Sequence, residues 1–417
     1  MTDFENQSLP VNDARGGVEG VLARGVKRQI RQLLSGFSDG QLSICWPDGS
    51  NSVHGTRSEK AGDNASVHMH SLLPFRRLMT NGQIGFAESY MRGEWSTDNL
   101  ANLFALIMRN EDAIAPATHG GRMPRLMNLW RHWTKRNSLS GSQRNIAFHY
   151  DLGNDFYRLW LDESMSYSSG LYQHPTDTLE QAQQRKIDAV LDMLSPDEHS
   201  SVLEIGCGWG ALAHNIASKS GASVTGISLS AEQLQYANSE HAKPIGAQEK
   251  NKPVFEHKDY RDVSGRFSHI VSIEMFEAVG QKFWQTYFNK IADLLDSGGT
   301  AVVQTITLLE NRFEVYRAKP DFIQRYIFPG GMLPTKTLLK QHIERAGLVI
   351  ESERWFGDSY AKTLNEWRLR FEQTSKEIKA LGFDERFIRM WRYYLVYCET
   401  GFNIARTDVG LVKLRRL

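Results

Sequence analysis

Glu204 stands two residues before three glycines at alternating positions, Gly206, Gly208 and Gly210. Glycine lets a backbone approach a ligand closely, because no side chain intervenes. A helix N-terminus just after such a turn offers free N–H groups to that ligand. Val202, Leu203 and Ile205 read as a short buried strand ahead of the glycines. Leu212, Ala213, Ile216 and Ala217 have helical spacing after them. Strand, glycine turn and helix predict the start of a nucleotide-binding α/β unit. A plain tight turn would use the same glycines, so the elements downstream must decide.

Those elements alternate. Strands are expected at 223–227, 253–257, 267–273 and 300–306. Thr178 with Gln181 forms a capping-box pattern ahead of Ile187, Val190, Leu191 and Leu194, and Ser230 with Gln233 repeats it. Such alternation predicts an α/β fold with a parallel sheet covered on both faces by helices. Ligands of these sheets sit beyond the carboxyl ends of the strands. One rim then collects the glycine loop, Ser228, Asp259, Tyr260, Glu274, Glu277 and 304–306.

The dinucleotide fingerprint spaces its glycines as G-x-G-x-x-G. The tighter spacing here, with its acid, resembles the S-adenosylmethionine site of class I methyltransferases with their Rossmann-like sheet. The resemblance implies that Glu204 takes the amino group of the methionine moiety, with the glycine backbone under the ribose. A generic member has an acid at the end of the second strand for the ribose hydroxyls. Ser228 stands there in this chain, so serines and Gln233 must serve.

At 417 residues the chain is long enough for two or three domains. With 49 basic and 48 acidic residues, it lacks the global charge of a nucleic-acid binder. Cys45, Cys207 and Cys398 are too far apart for a disulfide framework or a metal site. No apolar run is long enough to span a bilayer, and the N-terminal stretch lacks a signal-type apolar core. A cytoplasmic protein, peripheral on the inner membrane surface, is expected.

Residues 1–115 read as a small α+β domain, with a helix at 21–34, a strand at 41–46 and a helix at 99–108 capped by Asp98. His68 and His70 share a strand face and read as structural, with no third metal ligand near. The 116–145 stretch holds Arg122, Arg125, Arg131, Lys135, Arg136 and Arg144 but no acid, interleaved with Trp130 and Trp133. That pattern serves equally an anionic membrane surface and a linker helix packed on its own protein.

Residues 146–417 read as a catalytic domain, and about 146–405 of it carry a second, more specific resemblance. The motifs are His149-Tyr150-Asp151, Asn154 to Tyr157, Tyr167-Ser168, 203–210, Ser230-x-Glu232-Gln233, Met275-Phe276-Glu277, Tyr326 to Pro334 and Tyr360 to Leu364. In this order they resemble the cyclopropane-fatty-acyl-phospholipid synthase family, which includes the mycolic acid cyclopropane synthases. The resemblance implies methyl transfer from S-adenosylmethionine to the cis double bond of an unsaturated phospholipid chain, then proton loss and ring closure. It implies a bicarbonate ion as the base, held by Glu277, Tyr360, Gln304 and the backbone of Ser169 and Ile306. Cofactor contacts would come from Tyr167, Ser168, Glu204, Gly206, Gly208, Gly210, Ser228, Gln233, Asp259 and Tyr260. The N-terminal domain fits the longer members, and a homodimer through it is left open.

Three positions depart from better-known members: Gln304 for histidine, Ser169 for cysteine, and Glu274 for glycine. A glutamine amide donates a hydrogen bond but carries no titrating proton. These departures leave a methyl- or methylene-branched product open beside the ring. A small soluble acceptor is a further alternative. Without the resemblance, Glu277 reads as a first-turn acid favoured by the helix dipole, and Tyr360 as packing. The 307–334 insertion, rich in aromatic and basic residues, is expected to cover an apolar acyl site as a lid. If the basic stretch is a membrane anchor, the protein should sediment with anionic vesicles and be released by salt. Equal binding to neutral vesicles would exclude that role.

Overall fold

The computed structural model describes residues 14–59, 62–111, 114, 152–240 and 252–417. The chain divides into two compact units, 1–121 and 122–417. The basic stretch at 116–145 and the motif at 149–151 lie outside the described residues.

In the first unit, helix α1 (Ala14–Leu33) precedes strands β1 (Gln41–Cys45), β2 (Asn51–Gly55) and β3 (Asn64–Met69). Then come α2 (Leu73–Met91), β4 (Trp95–Ser96) and α3 (Leu100–Arg109). The sheet order is β2-β1-β3-β4, with β3 parallel to β1. The cap of α3 is Asn99, whose side chain accepts from the Asn102 N–H at 3.0 Å, not Asp98 as expected. Asp98 instead faces β3, where it accepts from Ser66 and lies 3.2 Å from His68 Nε2. His70 pairs with the Ser96 hydroxyl at 2.9 Å, so both histidines have structural partners.

Among the described residues, the second unit begins with the short α4 (Asn154–Arg158) and α5 (Leu179–Leu194), the latter held by the Thr178–Gln181 capping box. There follow β5 (Ser201–Ile205), α6 (Ala211–Ser220), β6 (Ser223–Ser228), α7 (Ala231–Glu240), β7 (Val254–His257) and β8 (Phe267–Ile273). Next are α8 (Trp284–Leu294), β9 (Leu295–Leu308), α9 (Phe313–Ala318), α10 (Phe322–Tyr326) and α11 (Lys336–Arg345). The chain ends with β10 (Leu348–Trp355), α12 (Gly357–Gln373), α13 (Ser375–Ala380), α14 (Glu385–Asn403) and β11 (Thr407–Arg416).

The sheet order is β10-β11-β9-β8-β5-β6-β7. β5 to β9 are parallel as expected, but β11 runs antiparallel between β9 and β10, so the sheet is mixed. This is the α/β, Rossmann-like architecture of class I methyltransferases. The central strands have near-continuous apolar burial, because helices cover both faces.

Two features set the rim. Gly206 has φ +84°, and a Cβ there would meet Met275 Cγ at 2.8 Å. The glycine loop is thus pressed against the turn that follows β8. That turn is anchored by Phe276, fully buried with its ring 5.0 Å from both Tyr287 and Phe288. The other wall is α12, which lies beside α14. Buried Glu399 ties the two helices, accepting from Asn365 Nδ2 at 3.0 Å and Arg368 Nε at 2.9 Å. Phe276→Ala should lower unfolding stability by about 3–5 kcal/mol, because the rings around it cannot collapse onto the space left. Chemical denaturation measures this, and a change below about 1 kcal/mol would show that the turn is held some other way.

Candidate active site

A cleft opens where the glycine loop meets the turn after β8. Its lining includes Tyr167, Ser168, Glu204, Gly206, Gly208, Ser228, Gln233 and Tyr260, all expected from the sequence, together with Lys186 and Glu274. Two expected residues stay out of that lining. Gly210, at φ +90°, turns the loop into α6 as its N-cap. Asp259 is buried against Arg261, which donates to its two carboxylate oxygens at 2.8 and 2.6 Å. Its carboxylate therefore braces the loop after β7.

Glu204 is buried, and its Oε2 has no protein partner. Burial pushes its carboxyl up to about 8, against the opposing pull of the Ala213 N–H and Lys186. A buried carboxylate with an unused oxygen, beside a glycine cradle, fits a ligand that brings a cationic amino group. Gln233 does not complete a capping box. Its side-chain oxygen accepts from the Ser228 hydroxyl at 3.1 Å, while its N–H donates to Ser230. Ser228 and Gln233 thus form one polar edge at the end of β6, where an acid would stand in a generic member. The residues present fit S-adenosylmethionine.

Lys186 was not singled out in the sequence. It is buried on α5, and its Nζ donates to Ser168 Oγ at 2.8 Å. Burial lowers its pKa, while Glu274, Asp162 and Glu204 oppose that shift. The signal was present: Lys186 falls on the same apolar stripe as Ile187, Val190 and Leu194. A lysine on a buried stripe needs anionic company.

Beside the cleft lies a second cluster. Gln304, opposite Ile273 in the β8–β9 register, donates from Nε2 to Glu274 Oε1 at 2.7 Å. The Ser169 N–H donates to the same oxygen at 2.8 Å. The Tyr360 hydroxyl, from α12, donates to Glu274 Oε2 at 2.6 Å. Glu277 Oε1 accepts from the Ile306 N–H at 2.5 Å and the Thr305 hydroxyl at 3.0 Å, while its Oε2 has no protein partner. Burial, then the charge of Glu274, pushes the Glu277 carboxyl up to about 8. Burial also raises the Glu274 carboxyl, opposed by Tyr360, Ser169, Gln304 and Lys186.

The five residues that resemblance assigned to bicarbonate are therefore brought together, but not around an open anion site. Every donor among them is engaged by a carboxylate of the chain itself: Tyr360, Gln304 and Ser169 by Glu274, and Ile306 by Glu277. The residues present do not fit a bound bicarbonate.

Aromatic rings gather behind Tyr167, which lines the cleft. The Tyr167 hydroxyl is 2.7 Å from that of Tyr394, and its ring is 5.3 Å from Trp367 and 6.5 Å from Phe328. Phe328 belongs to the 307–334 insertion, which is closed at its base by a 2.8 Å bond from the Leu308 N–H to the Pro334 carbonyl. The Met332 N–H donates to the Glu277 carbonyl at 2.9 Å, which joins the insertion to the turn after β8. Among the described residues, no helix is long and apolar enough to cross a membrane.

The family model described as mycolic acid cyclopropane synthetase matches residues 137–412. The tuberculostearic acid methyltransferase UfaA1 of Mycobacterium tuberculosis is 39% identical, over 80% of this chain and 79% of its own. The cyclopropane-fatty-acyl-phospholipid synthase of Escherichia coli is 36% identical, over 82% of this chain and 85% of its own. Among solved structures, mycolic acid cyclopropane synthase CmaA1, complexed with SAH and CTAB, matches with a TM-score of 0.61 and 28% identity. That match covers 66% of this chain and 98% of CmaA1. The chain belongs to the mycolic acid cyclopropane synthetase family, and it is an S-adenosylmethionine-dependent lipid methyltransferase.

Glu204→Gln should weaken S-adenosylhomocysteine binding about 10-fold to 100-fold by calorimetry, as expected for one charged hydrogen bond of about 1.5–3 kcal/mol. Unchanged affinity would remove Glu204 from the cofactor site. Glu204 and Glu277 also predict a pH effect. Each is raised from the ordinary 4.5 to about 8, so the folded state binds protons that the unfolded state has released. Their contribution to stability is complete below about 4.5 and is lost as pH rises through about 8. Ligand-free protein should melt progressively lower over that window, and Glu277→Gln should flatten the decline.

Proposed function

We propose that the chain alkylates the cis double bond of an unsaturated phospholipid acyl chain, forming a cyclopropane ring, at the membrane surface. The observation that carries this reading is the half-buried pair Glu274 and Glu277 beside the cofactor cleft, whose carboxylates take their hydrogen bonds from inside the protein. An alkene is a weak nucleophile, and its alkylation leaves a carbocation that needs negative charge in a water-excluded site. Bound S-adenosylmethionine supplies an electrophilic methyl. The chain's residues do the rest. Glu204 orients the amino end of the cofactor, and Ser228 with Gln233 meets the ribose. The rings of Tyr167, Phe328, Trp367 and Tyr394 exclude water and suit an apolar tail. A small polar acceptor would instead call for charged groups in place of those rings.

A second reading, a methyl- or methylene-branched chain, uses the same first step. It is favoured by the relative whose name is tuberculostearic acid methyltransferase and by the departures at Ser169, Glu274 and Gln304. Mass spectrometry of lipids after incubation with S-adenosylmethionine and cis-monounsaturated phospholipid separates the two. A gain of CH₂ with loss of the double bond is the expected result. The same gain with a double bond retained gives the branched product. No change in the lipid, with cofactor binding intact, overturns the phospholipid reading in favour of a soluble acceptor.

A further inference from the structure

Glu274 is held by three hydrogen bonds, and in a backbone conformation that does not suit it. Its φ is +50°, in the left-handed region where side chains with a Cβ are disfavoured. The glycine of better-known members would sit there without strain. A strained residue that persists at a ligand site has its reason in its side chain. Here that side chain takes the donors from three separate segments: the Ser169 N–H, the Gln304 amide and the Tyr360 hydroxyl. Glu274 lines the cofactor cleft, whereas Glu277 does not. Glu277 stands behind it, bound to β9 through Thr305 and Ile306.

We propose that the Glu274 carboxylate is the base of the reaction and stands where bicarbonate would otherwise bind, so that the enzyme carries its own anion. This rests on the alkylating reading above. Oε1 already accepts two hydrogen bonds and Oε2 accepts one, from Tyr360, so Oε2 is the atom with room for a proton. In the first step the π pair of the acyl double bond forms the bond to the incoming methyl. The C–S pair stays on sulfur, and the neighbouring chain carbon is left cationic. A C–H bond of the new methyl then breaks. Its proton goes to Glu274 Oε2, and its electron pair closes the ring onto the cation. Loss of a proton from the chain instead turns that pair into a new double bond beside the branch. In either case Glu274 returns the proton to water when product leaves.

The test compares the protein with Glu274→Gly and Glu274→Gln, with folding checked by near-UV circular dichroism. Binding of ¹³C-bicarbonate is read by NMR, and turnover is read in carbon-dioxide-depleted buffer with and without added bicarbonate. The unaltered protein should bind no bicarbonate and turn over at the same rate in both buffers. Glu274→Gly frees the three donors, so it should bind bicarbonate, lose about 100-fold or more in depleted buffer, and recover part of the rate when bicarbonate is added. Glu274→Gln keeps the site filled without a base, so it should lose activity with no rescue. It decides the question if the glycine variant does not fold. Bicarbonate binding or stimulation in the unaltered protein overturns the proposal, as does full turnover by Glu274→Gln in depleted buffer. If the unaltered protein alkylates no phospholipid, the substrate reading fails alone. The binding measurement still decides whether Glu274 fills the anion position.

Discussion

A carboxylate drawn partly out of water must be given hydrogen bonds, and that demand organises this active site. Half-buried Glu274 gives up part of its hydration and takes hydrogen bonds instead from donors that the chain must bring from far apart. Gln304 arrives through the β8–β9 register, Ser169 on the segment before α5, and Tyr360 on α12, 86 residues away. Misplacing any one would leave a charge or a dipole unpaired in a low-dielectric interior. The positions of α12, the end of β9 and the 167–170 segment are therefore linked through one side chain. The clamp between α12 and α14 at Glu399 and the Phe276 anchor serve the same end, because each fixes an element that reaches Glu274.

Local chemistry was legible in the sequence, and distant pairing was not. The glycine loop, the Thr178 cap and the five parallel strands follow from patterns within about ten residues. Knowing which strand ends share a rim placed Glu277 and Gln304 together, because parallel α/β sheets put ligands there. Tyr360 came from family resemblance alone, since nothing in the spacing of α12 says which residue it meets. β11 was missed as a sheet strand, and with it the mixed character of the sheet. Strand alternation does not reveal direction. Asp98 was misassigned as a cap because an acid near an element's end has several possible partners, and the fold supplied Ser66.

The two carboxyls pushed up to about 8 differ in what they await. Glu204 faces the cofactor cleft with a free oxygen, and a bound cation would relieve its unfavourable burial. Glu277 has no such visitor. Its raised pKa keeps it largely protonated near neutral pH, so that the pair it forms with Glu274 carries close to a single charge. Glu274, the member that lines the cleft, accepts three hydrogen bonds, the environment that favours a carboxylate anion. The insertion is connected to the same turn, because Met332 bonds the Glu277 carbonyl and Phe328 approaches Tyr167.

The left-handed backbone at position 274 also bears on how such enzymes diverge. Codons for glutamate and glycine differ by a single base, and this position accepts glycine with less strain than the residue it holds. A lineage can therefore exchange a tethered anion for one drawn from dissolved carbon dioxide in one nucleotide substitution, without rebuilding the loop. An enzyme of the first kind is insulated from the carbonate supply of its surroundings. One of the second kind is tied to it, and habitat chemistry becomes a selective force on a single codon.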